Sequence, residues 1–467
     1  MKRPHRVLPV LLILLQAAVF YGCSNEAPSS PGAMIASDAS LARSSAFVPG
    51  ESVANLDADL AVAWFNVAYG VVQTERLTPP VASRAFGYLG VTLYESLLGG
   101  LPEHASLAGQ LNGLGALPRP NGKAYHWPLV ANRAMATIMR QLLPAASQPS
   151  LDAIASLESQ LAGEYGAGVP AGVVARSNAF GESVALAIHA WSTEDGYTQY
   201  RNCAYTYPSG PGFWKPTPPA FAAPLEPCWG NLRPFVMANG SVCDPGAPVA
   251  YSETPGSACY VEALEVYDVV NGLTPDQLLI AEYWADNPGQ TGTPPGHSMS
   301  IVGQVVTQYD LPLGVAVEAY AKVGVAVADA FISCWWVKYE YNLLRPISYI
   351  LDVIDPAWPP TPVATPPFPE YTSGHSVQSG ATAQVLTDMF GDLPFTDRTH
   401  EDRGLAARSF ASFFEFADEA AISRLYGGIH YRSAIVIGVE QGRCIGNEVS
   451  ALETRGQAPL AAAGAAR

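Results

Sequence analysis

The sequence predicts an all-α protein with a helical bundle core and one Pro/Gly/Cys-rich excursion. Apolar residues recur at helical spacing in long segments such as LAVAWFNVAYGVV and ASRAFGYLGVTLYESLLGG, a pattern typical of core helices. No stretch stands out with the apolar and polar alternation of a half-buried strand. Between about residues 197 and 256, Pro, Gly, Cys and aromatic residues replace the helical pattern, which predicts a structured loop region.

The length and charge of the chain limit what it can be. It has 467 residues, of which 49% are hydrophobic and 14% charged, enough to bury a large core. The formal net charge is −16, which argues against nucleic acid or an anionic membrane surface as a partner. An anionic ligand would therefore have to be held by locally placed cations.

The N-terminal segment predicts export. Residues 1–22 carry basic residues followed by an apolar run over 7–20, shorter than the ~20 residues of a spanning helix and typical of a signal peptide. Gly22 directly before Cys23 resembles a bacterial lipoprotein cleavage site, at which Cys23 would carry a lipid anchor. A periplasmic or outer-membrane lipoprotein and a plainly secreted protein are the two outcomes. Residues 23–52, rich in Ser, Ala, Pro and Gly, predict a flexible tether.

Residues 53–450 predict the helical domain, and 451–467 a C-terminal tail. Beyond the two segments quoted above, the pattern predicts helices over 128–143, 149–164, 172–192, 275–286 and 297–309, the last two flanking a turn at GQTGTPPG.

The cysteines predict disulfides in the excursion. For an exported protein we expect one or two bridges, with the pairing open, among Cys203, Cys228, Cys243 and Cys259. No CxxC pair or histidine spacing accompanies them, which disfavours a metal site. Cys334 and Cys444 lie in apolar helical settings and are expected to be buried thiols.

Three motifs between residues 329 and 430 place cations and imidazoles at bends or helix ends. They are Lys338 with Arg345-Pro346, then Ser373-Gly374-His375, then Ser423-Arg424 with His430. On one continuous helix, Lys338 and Arg345 would share a face, and Pro346 would end that helix.

The second and third motifs depend on local turns. Ser373 and Gly374 precede a helical run, so their N–H groups would lie at a helix N-terminus, where anions are favoured. Arg424 and His430 are six apart and would diverge on an unbroken helix. The Gly427-Gly428 pair allows the turn that brings His430 back to the arginine.

The order K-x6-RP, SGH and SR-x3-G-x-H resembles the superfamily of vanadium-dependent haloperoxidases and type 2 phosphatidic acid phosphatases. Stretches such as FWKPTPP (213–219) and AEYWADNPGQTGTPPGH (281–297) resemble its bacterial haloperoxidase-like branch, and the resemblance runs from about residue 55 to 448. It implies two four-helix bundles and a pocket for vanadate or phosphate.

The resemblance also implies a role for each site residue. The anion would be bound by Lys338, Arg345, Ser373, Gly374 and Arg424, with His430 as the vanadium ligand or the phosphatase nucleophile. His375 would act as general acid and base. Trp335 and Phe368 match aromatic pocket walls of chloroperoxidases, and Asp286 matches an acid that pairs with the pocket arginines. Asp329 is expected to play a similar part or a structural one.

Two positions depart from the superfamily pattern. Ala434 stands where an aspartate commonly orients the histidine, so another group or a carbonyl must orient His430. Thr372 stands where proline commonly precedes SGH, which changes only the stiffness of the turn. The remaining histidines, including His297 and His400, have no catalytic context in the sequence.

The predicted function is oxidation of halide by hydrogen peroxide with vanadate as cofactor. The first alternative is an exported acid phosphatase that cleaves phosphate esters through a phosphohistidine at His430. The second is a non-catalytic oxyanion-binding lipoprotein, suggested by the missing acid at Ala434.

Overall fold

Helices make up most of the part of the chain that the computed structural model describes, residue 50 and residues 52–455. The predicted signal peptide, Cys23 and nearly all of the tether and tail lie outside these residues. The helices are α1 (Asp59–Thr74), α2 (Pro79–Leu97), α3 (Trp127–Leu142), α4 (Gln148–Gly166), α5 (Ala171–Ser192), α6 (Tyr197–Tyr200), α7 (Ala258–Asn271), α8 (Pro275–Tyr283), α9 (Thr293–Gln308), α10 (Leu313–Tyr341), α11 (Pro346–Tyr349), α12 (Gly374–Phe390), α13 (Phe413–Tyr426) and α14 (Arg432–Ser450).

Helix α10 is the element shared by the two groups of packed helices. It packs against α2, which carries α3, α5 and α9, and against α12, which carries α13 and α14. Nearly every residue of α10 from 313 to 338 is buried, as expected for a helix that is apolar on all sides. The prediction of an all-helical bundle core is confirmed. In the described residues no helix is long and apolar enough to cross a membrane.

The observed helices differ from the predicted ones mainly at their ends. Helix α8 ends at Tyr283, and α9 begins at Thr293, inside the segment expected to be a turn. Prolines 294 and 295 fit there because the first turn of a helix does not use its N–H groups. The sequence pattern did not predict the two-stranded antiparallel sheet, in which β1 (Phe395–Asp397) pairs with β2 (Arg408–Phe410).

The excursion is fastened to α10 by a buried carboxylate. Asp329 accepts hydrogen bonds from the backbone N–H groups of Phe235 and Val236, at 2.6 and 2.9 Å, and of Met237, at 3.3 Å. Burial raises its pKa to about 6. Of the two roles expected for Asp329, the structure assigns the structural one.

Two disulfides tie the excursion further. Cys203 bonds Cys228 within it, and Cys243 bonds Cys444 on α14. The prediction that Cys444 is a buried thiol is therefore wrong, because a partner 201 residues away in sequence faces that helix. Cys259, expected among the bridging cysteines, is a free thiol, and Cys334 is a buried free thiol as predicted.

Candidate oxyanion-binding site

Groups from all three motifs surround the imidazole of His430. Burial lowers the pKa of His430 well below its usual value, and the charges of Arg345, Lys338, Arg424 and His375 lower it further. Lys338, Arg345, Arg424 and His430 are buried, with His430 only 2% exposed, and His375 is partly buried. The structure therefore brings the predicted cations and both imidazoles together at one buried site.

Lys338 and Arg345 converge without sharing a helix, so the prediction of one continuous helix is wrong. Helix α10 ends at Tyr341, and Asn342 takes a left-handed backbone conformation with φ 50°, which reverses the chain. Arg345 then caps α11, whose first residue is Pro346. Pro346 therefore begins a helix here and does not end one.

The ammonium group of Lys338 is held by three backbone carbonyls. Its Nζ donates to the carbonyl oxygens of Pro369, Glu370 and Thr372 at 3.0, 2.9 and 2.5 Å. Burial lowers its pKa to about 7, but only the charged form has three N–H donors for three acceptors. Lys338 thus supplies a fixed positive charge, and the loop before α12 supplies the carbonyl groups that bind it.

Arg345 keeps one unused donor nitrogen in the site. Its Nε donates to the Phe368 carbonyl and its Nη1 to the Ile429 carbonyl, both at 2.8 Å. Its buried Nη2 has no partner among the described residues. The guanidinium lies over the Phe368 ring at 4.9 Å, and that ring packs against Trp335 at 4.8 Å between centroids. The two predicted wall residues therefore form an apolar face beside the cation.

Hydrogen bonds to its own helix and to α8 orient the Arg424 side chain. Its Nε donates to Ser423 Oγ at 2.9 Å, and its Nη2 donates to the Ala281 carbonyl at 3.1 Å. Helix α13 ends at Tyr426, and Gly428 adopts φ +73°. Gly428 thus makes the turn that the spacing required, since only glycine adopts this conformation freely, whereas Gly427 keeps a helical backbone with φ −70°.

Ser373 and Gly374 begin helix α12, with Ser373 as its N-cap. The Ser373 N–H is already donated to the Ala434 carbonyl at 3.1 Å, and its Oγ accepts from Ser376 N–H at 3.4 Å. The Gly374 N–H is a first-turn donor that the helix leaves free. The helix N-terminus therefore points backbone donors and the positive end of its dipole at the site.

The carboxylate that replaces the missing aspartate is Glu370, which is not among the predicted site residues. Its Oε1 lies 2.7 Å from His430 Nδ1 and accepts from the Tyr431 N–H at 2.9 Å. Arg345 Nη1 lies 3.2 Å from His430 Nε2. A guanidinium only donates and a carboxylate accepts, so His430 carries its proton on Nδ1 and has a lone pair on Nε2.

His375 is likewise held in one tautomer by a hydrogen bond. Its imidazole bonds the Trp284 carbonyl, and its buried Nε2 has no partner in the described part of the chain. Because a carbonyl only accepts, the bonded nitrogen is a protonated Nδ1. Burial and the charge of Arg424 hold the pKa of His375 well below its usual value, so Nε2 is a free acceptor at neutral pH.

Asp286 is bound by histidines, so the expectation that its carboxylate pairs with the arginines needs correction. It acts on Arg424 through charge, but its short contacts are to His297 Nδ1 at 2.8 Å and His400 Nε2 at 3.2 Å. His297 Nε2 lies 2.7 Å from Asp397. His297 and His400, which were assigned no catalytic role, therefore contact a predicted site residue. No sequence signal could find them, because residues of α9 and of the loop after β1 meet only in the fold.

The donor set fits a small oxyanion. Three buried cations, a helix N-terminus and an unpartnered guanidinium nitrogen face one site, and charged donors of this kind bind phosphate-like groups most strongly. Burial lowers the pKa of Arg345 and of Arg424 to about 10, so both stay charged at neutral pH.

Vanadium-dependent haloperoxidases are among the known proteins that this chain resembles. A model of the second helical-bundle domain of vanadium chloroperoxidases matches residues 318–456. The vanadium chloroperoxidase of Curvularia inaequalis is 25% identical over 76% of this chain and 74% of its own. A bacterial vanadium-dependent chloroperoxidase superposes with a TM-score of 0.64 at 15% identity, over 85% of this chain and 97% of that one, which supports the fold alone.

A stronger match is a bacterial vanadium-dependent iodoperoxidase. It superposes with a TM-score of 0.80 and is 40% identical, over 87% of this chain and 99% of its own. With identity at this level over nearly the whole length of that structure, and with the predicted residues of all three motifs at one buried site, the chain belongs to the vanadium-dependent haloperoxidase family.

Proposed function

We propose that this protein oxidises halide with hydrogen peroxide, using vanadate held at the site around His430. The observation that carries the proposal is the His430 tautomer: Glu370 accepts a hydrogen bond from the Nδ1 proton, which leaves Nε2 as a ligand atom among three cations. Free Arg345 Nη2 and His375 Nε2, both buried without partners in the described residues, also suit an oxyanion.

In this proposal His430 Nε2 would bind the vanadium, and Arg345, Arg424 and the N-terminus of α12 would bind the oxygens of the vanadate. A ligand at Nε2 must displace the Arg345 N–H that now points at it. Bound vanadate supplies Lewis-acid activation of peroxide at constant oxidation state. Lys338 contributes its positive charge while its ammonium group stays bound to the three backbone carbonyls.

His375 moves the proton. Its Nε2 accepts a proton from hydrogen peroxide as the oxidant binds, since the ring is neutral at neutral pH. The overall reaction of halide, hydrogen peroxide and one proton gives hypohalous acid and water, so the proton taken up by His375 returns in the product. The Trp284 carbonyl keeps the neutral ring in the Nδ1–H tautomer, in which Nε2 can accept the proton.

The walls of the site favour oxidation over hydrolysis. Phe368 and Trp335 lie beside Lys338, whose Nζ is 5.0 Å and 5.9 Å from the two ring centroids. Apolar walls exclude water and strengthen the electrostatic interactions inside. The missing acid at Ala434 no longer supports a non-catalytic oxyanion-binding protein, because Glu370 supplies that acid.

The test is an activity comparison on purified protein loaded with vanadate or with phosphate. We expect vanadate-dependent halide oxidation, with iodide, the halide named for the 40% identical relative, as the first substrate tested and bromide and chloride beside it. Phosphate-ester hydrolysis without halide oxidation would favour the acid phosphatase. Tight vanadate binding without either turnover would favour the oxyanion-binding protein.

The matched variants are His430→Ala and His189→Ala. His430→Ala should abolish vanadate binding, measured by titration calorimetry, whereas His189→Ala, on α5, should leave it unchanged. Vanadate-dependent activity retained by His430→Ala would count against the assignment.

We also propose that the protein is exported and lipid-anchored at Cys23. The two disulfides support export, because such bonds persist in oxidising compartments. Mass spectrometry of protein isolated from membranes should detect an acylated N-terminal Cys23, and Cys23→Ser should release the protein. An N-terminus that begins elsewhere and carries no lipid would instead indicate plain secretion.

A further inference from the structure

The segment 281–286, at the end of α8, touches the oxyanion site through its carbonyls. The Trp284 carbonyl accepts from His375, and the Ala281 carbonyl accepts from Arg424. Carbonyls in the last turn of a helix lack partners within the helix, so they are free to hold side chains from other elements. The position of this segment therefore sets the orientation of His375.

The segment is anchored on its far side by a buried row of three side chains. Asp286 Oδ2 lies 2.8 Å from His297 Nδ1, and His297 Nε2 lies 2.7 Å from Asp397 Oδ2. All three are at most 2% exposed. Asp286 also adopts a left-handed backbone conformation with φ 45°, which is uncommon for a residue other than glycine.

Both nitrogens of His297 face carboxylate oxygens, so the ring is an imidazolium. A neutral imidazole has one N–H and one lone pair, and the lone pair would then point at a negatively charged oxygen. The two carboxylates raise the pKa of His297 to about 10 against the effect of burial. The distances are those of charge-assisted hydrogen bonds.

Trp284 links this imidazolium to the site. Its ring stacks on His297, with centroids 4.6 Å apart and planes at 16°, and its Nε1 donates to Glu419 at 3.0 Å. Tyr283 donates from its hydroxyl to the Asp397 carbonyl at 3.1 Å. The residue whose carbonyl holds His375 is thus itself held through its side chain by the imidazolium.

A metal ion is the competing explanation, since Asp286, His297 and His400 offer atoms within 4.8 Å of one another. A histidine that binds a metal needs a lone pair on the ligating nitrogen. His297 has none to give, because each of its nitrogens donates a hydrogen to a carboxylate. The cluster is therefore an imidazolium hydrogen-bonded to two carboxylates, and not a metal site.

We propose that His297 is a positioning residue for the general base His375, acting through Trp284 in segment 281–286. The effect on turnover rests on the proposed haloperoxidase function, but the effect on the His375 ring does not. Loss of the imidazolium frees Asp286 and the Trp284 ring, and the Trp284 carbonyl then no longer fixes His375 in its Nδ1–H tautomer.

The experiment uses the full chain with 15N-labelled histidine, as wild type, His297→Gln and Asp397→Asn. In wild-type protein we expect both His297 nitrogens to be protonated at pH 7 and His375 to be a single Nδ1–H tautomer. In either variant we expect His375 to populate both tautomers. Asp195→Asn is the matched control, because Asp195 is a buried carboxylate that bonds Arg84 and Tyr88 and should leave His375 unchanged.

Kinetics give the second readout. On vanadate-loaded protein we expect kcat to fall about 10- to 100-fold, the range typical of lost outer-shell partners, whereas vanadate affinity falls less because His430, Lys338 and Arg345 keep their contacts.

A neutral His297 in wild type, a stoichiometric divalent metal bound there, or a folded variant with wild-type His375 signals and kcat would each overturn the inference. Wild-type protein without haloperoxidase activity but with the expected histidine signals would refute the proposed function alone.

Discussion

Replacing Glu370 tests how the site compensates for Ala434. Glu370→Gln keeps the size and an acceptor oxygen but removes the charge, and Glu370→Ala removes the acceptor as well. The carboxylate accepts from His430 Nδ1 at 2.7 Å and from the Tyr431 N–H at 2.9 Å. The substitutions therefore act on the basicity and orientation of His430 without touching the bound anion directly.

The size of the effect follows from the hydrogen bonds. A bond to a charged group contributes about 1.5–3 kcal/mol and a neutral one about 0.5–1.5 kcal/mol, so Glu370→Gln should weaken vanadate binding by about 1 kcal/mol, or roughly fivefold. Glu370→Ala also leaves the buried Nδ1 proton without an acceptor and should weaken binding about 10- to 100-fold.

The effect should also depend on pH. Burial, opposed by Arg345 and Lys338, raises the pKa of Glu370 to about 7. Below about pH 7 the carboxyl becomes protonated and accepts the His430 proton less well, so the affinity advantage of wild type over Glu370→Gln should shrink as the pH falls from 8 to 5. Titrating both proteins over this range cancels the protonation of vanadate itself, which is common to both.

The assay is vanadate affinity by calorimetry, with unfolding temperature measured alongside. Glu318→Gln is the control, because Glu318 is a buried carboxylate of α10 that bonds Thr454 and Arg455 and should change stability without changing affinity. Wild-type affinity in folded Glu370→Ala would refute the role assigned to Glu370.

Three further predictions follow from other parts of the structure. His375→Ala should retain vanadate, measured by calorimetry, and lose about 10²- to 10⁴-fold in kcat, the usual contribution of a general acid–base; an unchanged kcat would exclude it as the base. Cys444→Ser should lower the free energy of unfolding by about 2–5 kcal/mol in denaturant titration, because the bond to Cys243 closes a loop of 201 residues, and a difference below that range would mean that the bond adds little. His297 has a folded pKa raised to about 10, so its contribution to stability is full below its unfolded value near 6.5 and is lost as the pH rises to 10. Wild type should therefore lose more unfolding free energy than His297→Gln between pH 6.5 and 10, and parallel curves would contradict the imidazolium.

The helices were predictable because their causes are local. Helix α10 is apolar on all faces and α1 and α2 repeat apolar residues at helical spacing, so each core helix appears in its own segment of sequence. The motifs were predictable for a related reason. A glycine pair that breaks a helix at 427–428 and a serine that caps one at 373 act within a few residues of where they stand.

What the sequence did not reveal depends on contacts between distant segments. Glu370 lies in PFPE, a stretch with no recognised spacing to His430, and it reaches the imidazole only because the loop before α12 returns to the start of α14. His297 and Asp397 are 100 residues apart. The error over Lys338 and Arg345 has a different cause, since helical spacing was extended across a left-handed asparagine at 342.

In this site the carboxylate that binds His430 comes from position 370, and position 434 is an alanine. Ala434 is fully buried against Val337 and Tyr371, and its carbonyl accepts the Ser373 N–H, so this position now serves packing and the cap of α12. An aspartate here would bury a second charge beside a carboxylate already present, at a cost that a single imidazole N–H cannot offset. The chemistry needs one buried acceptor at Nδ1 and does not fix the helix or loop that provides it.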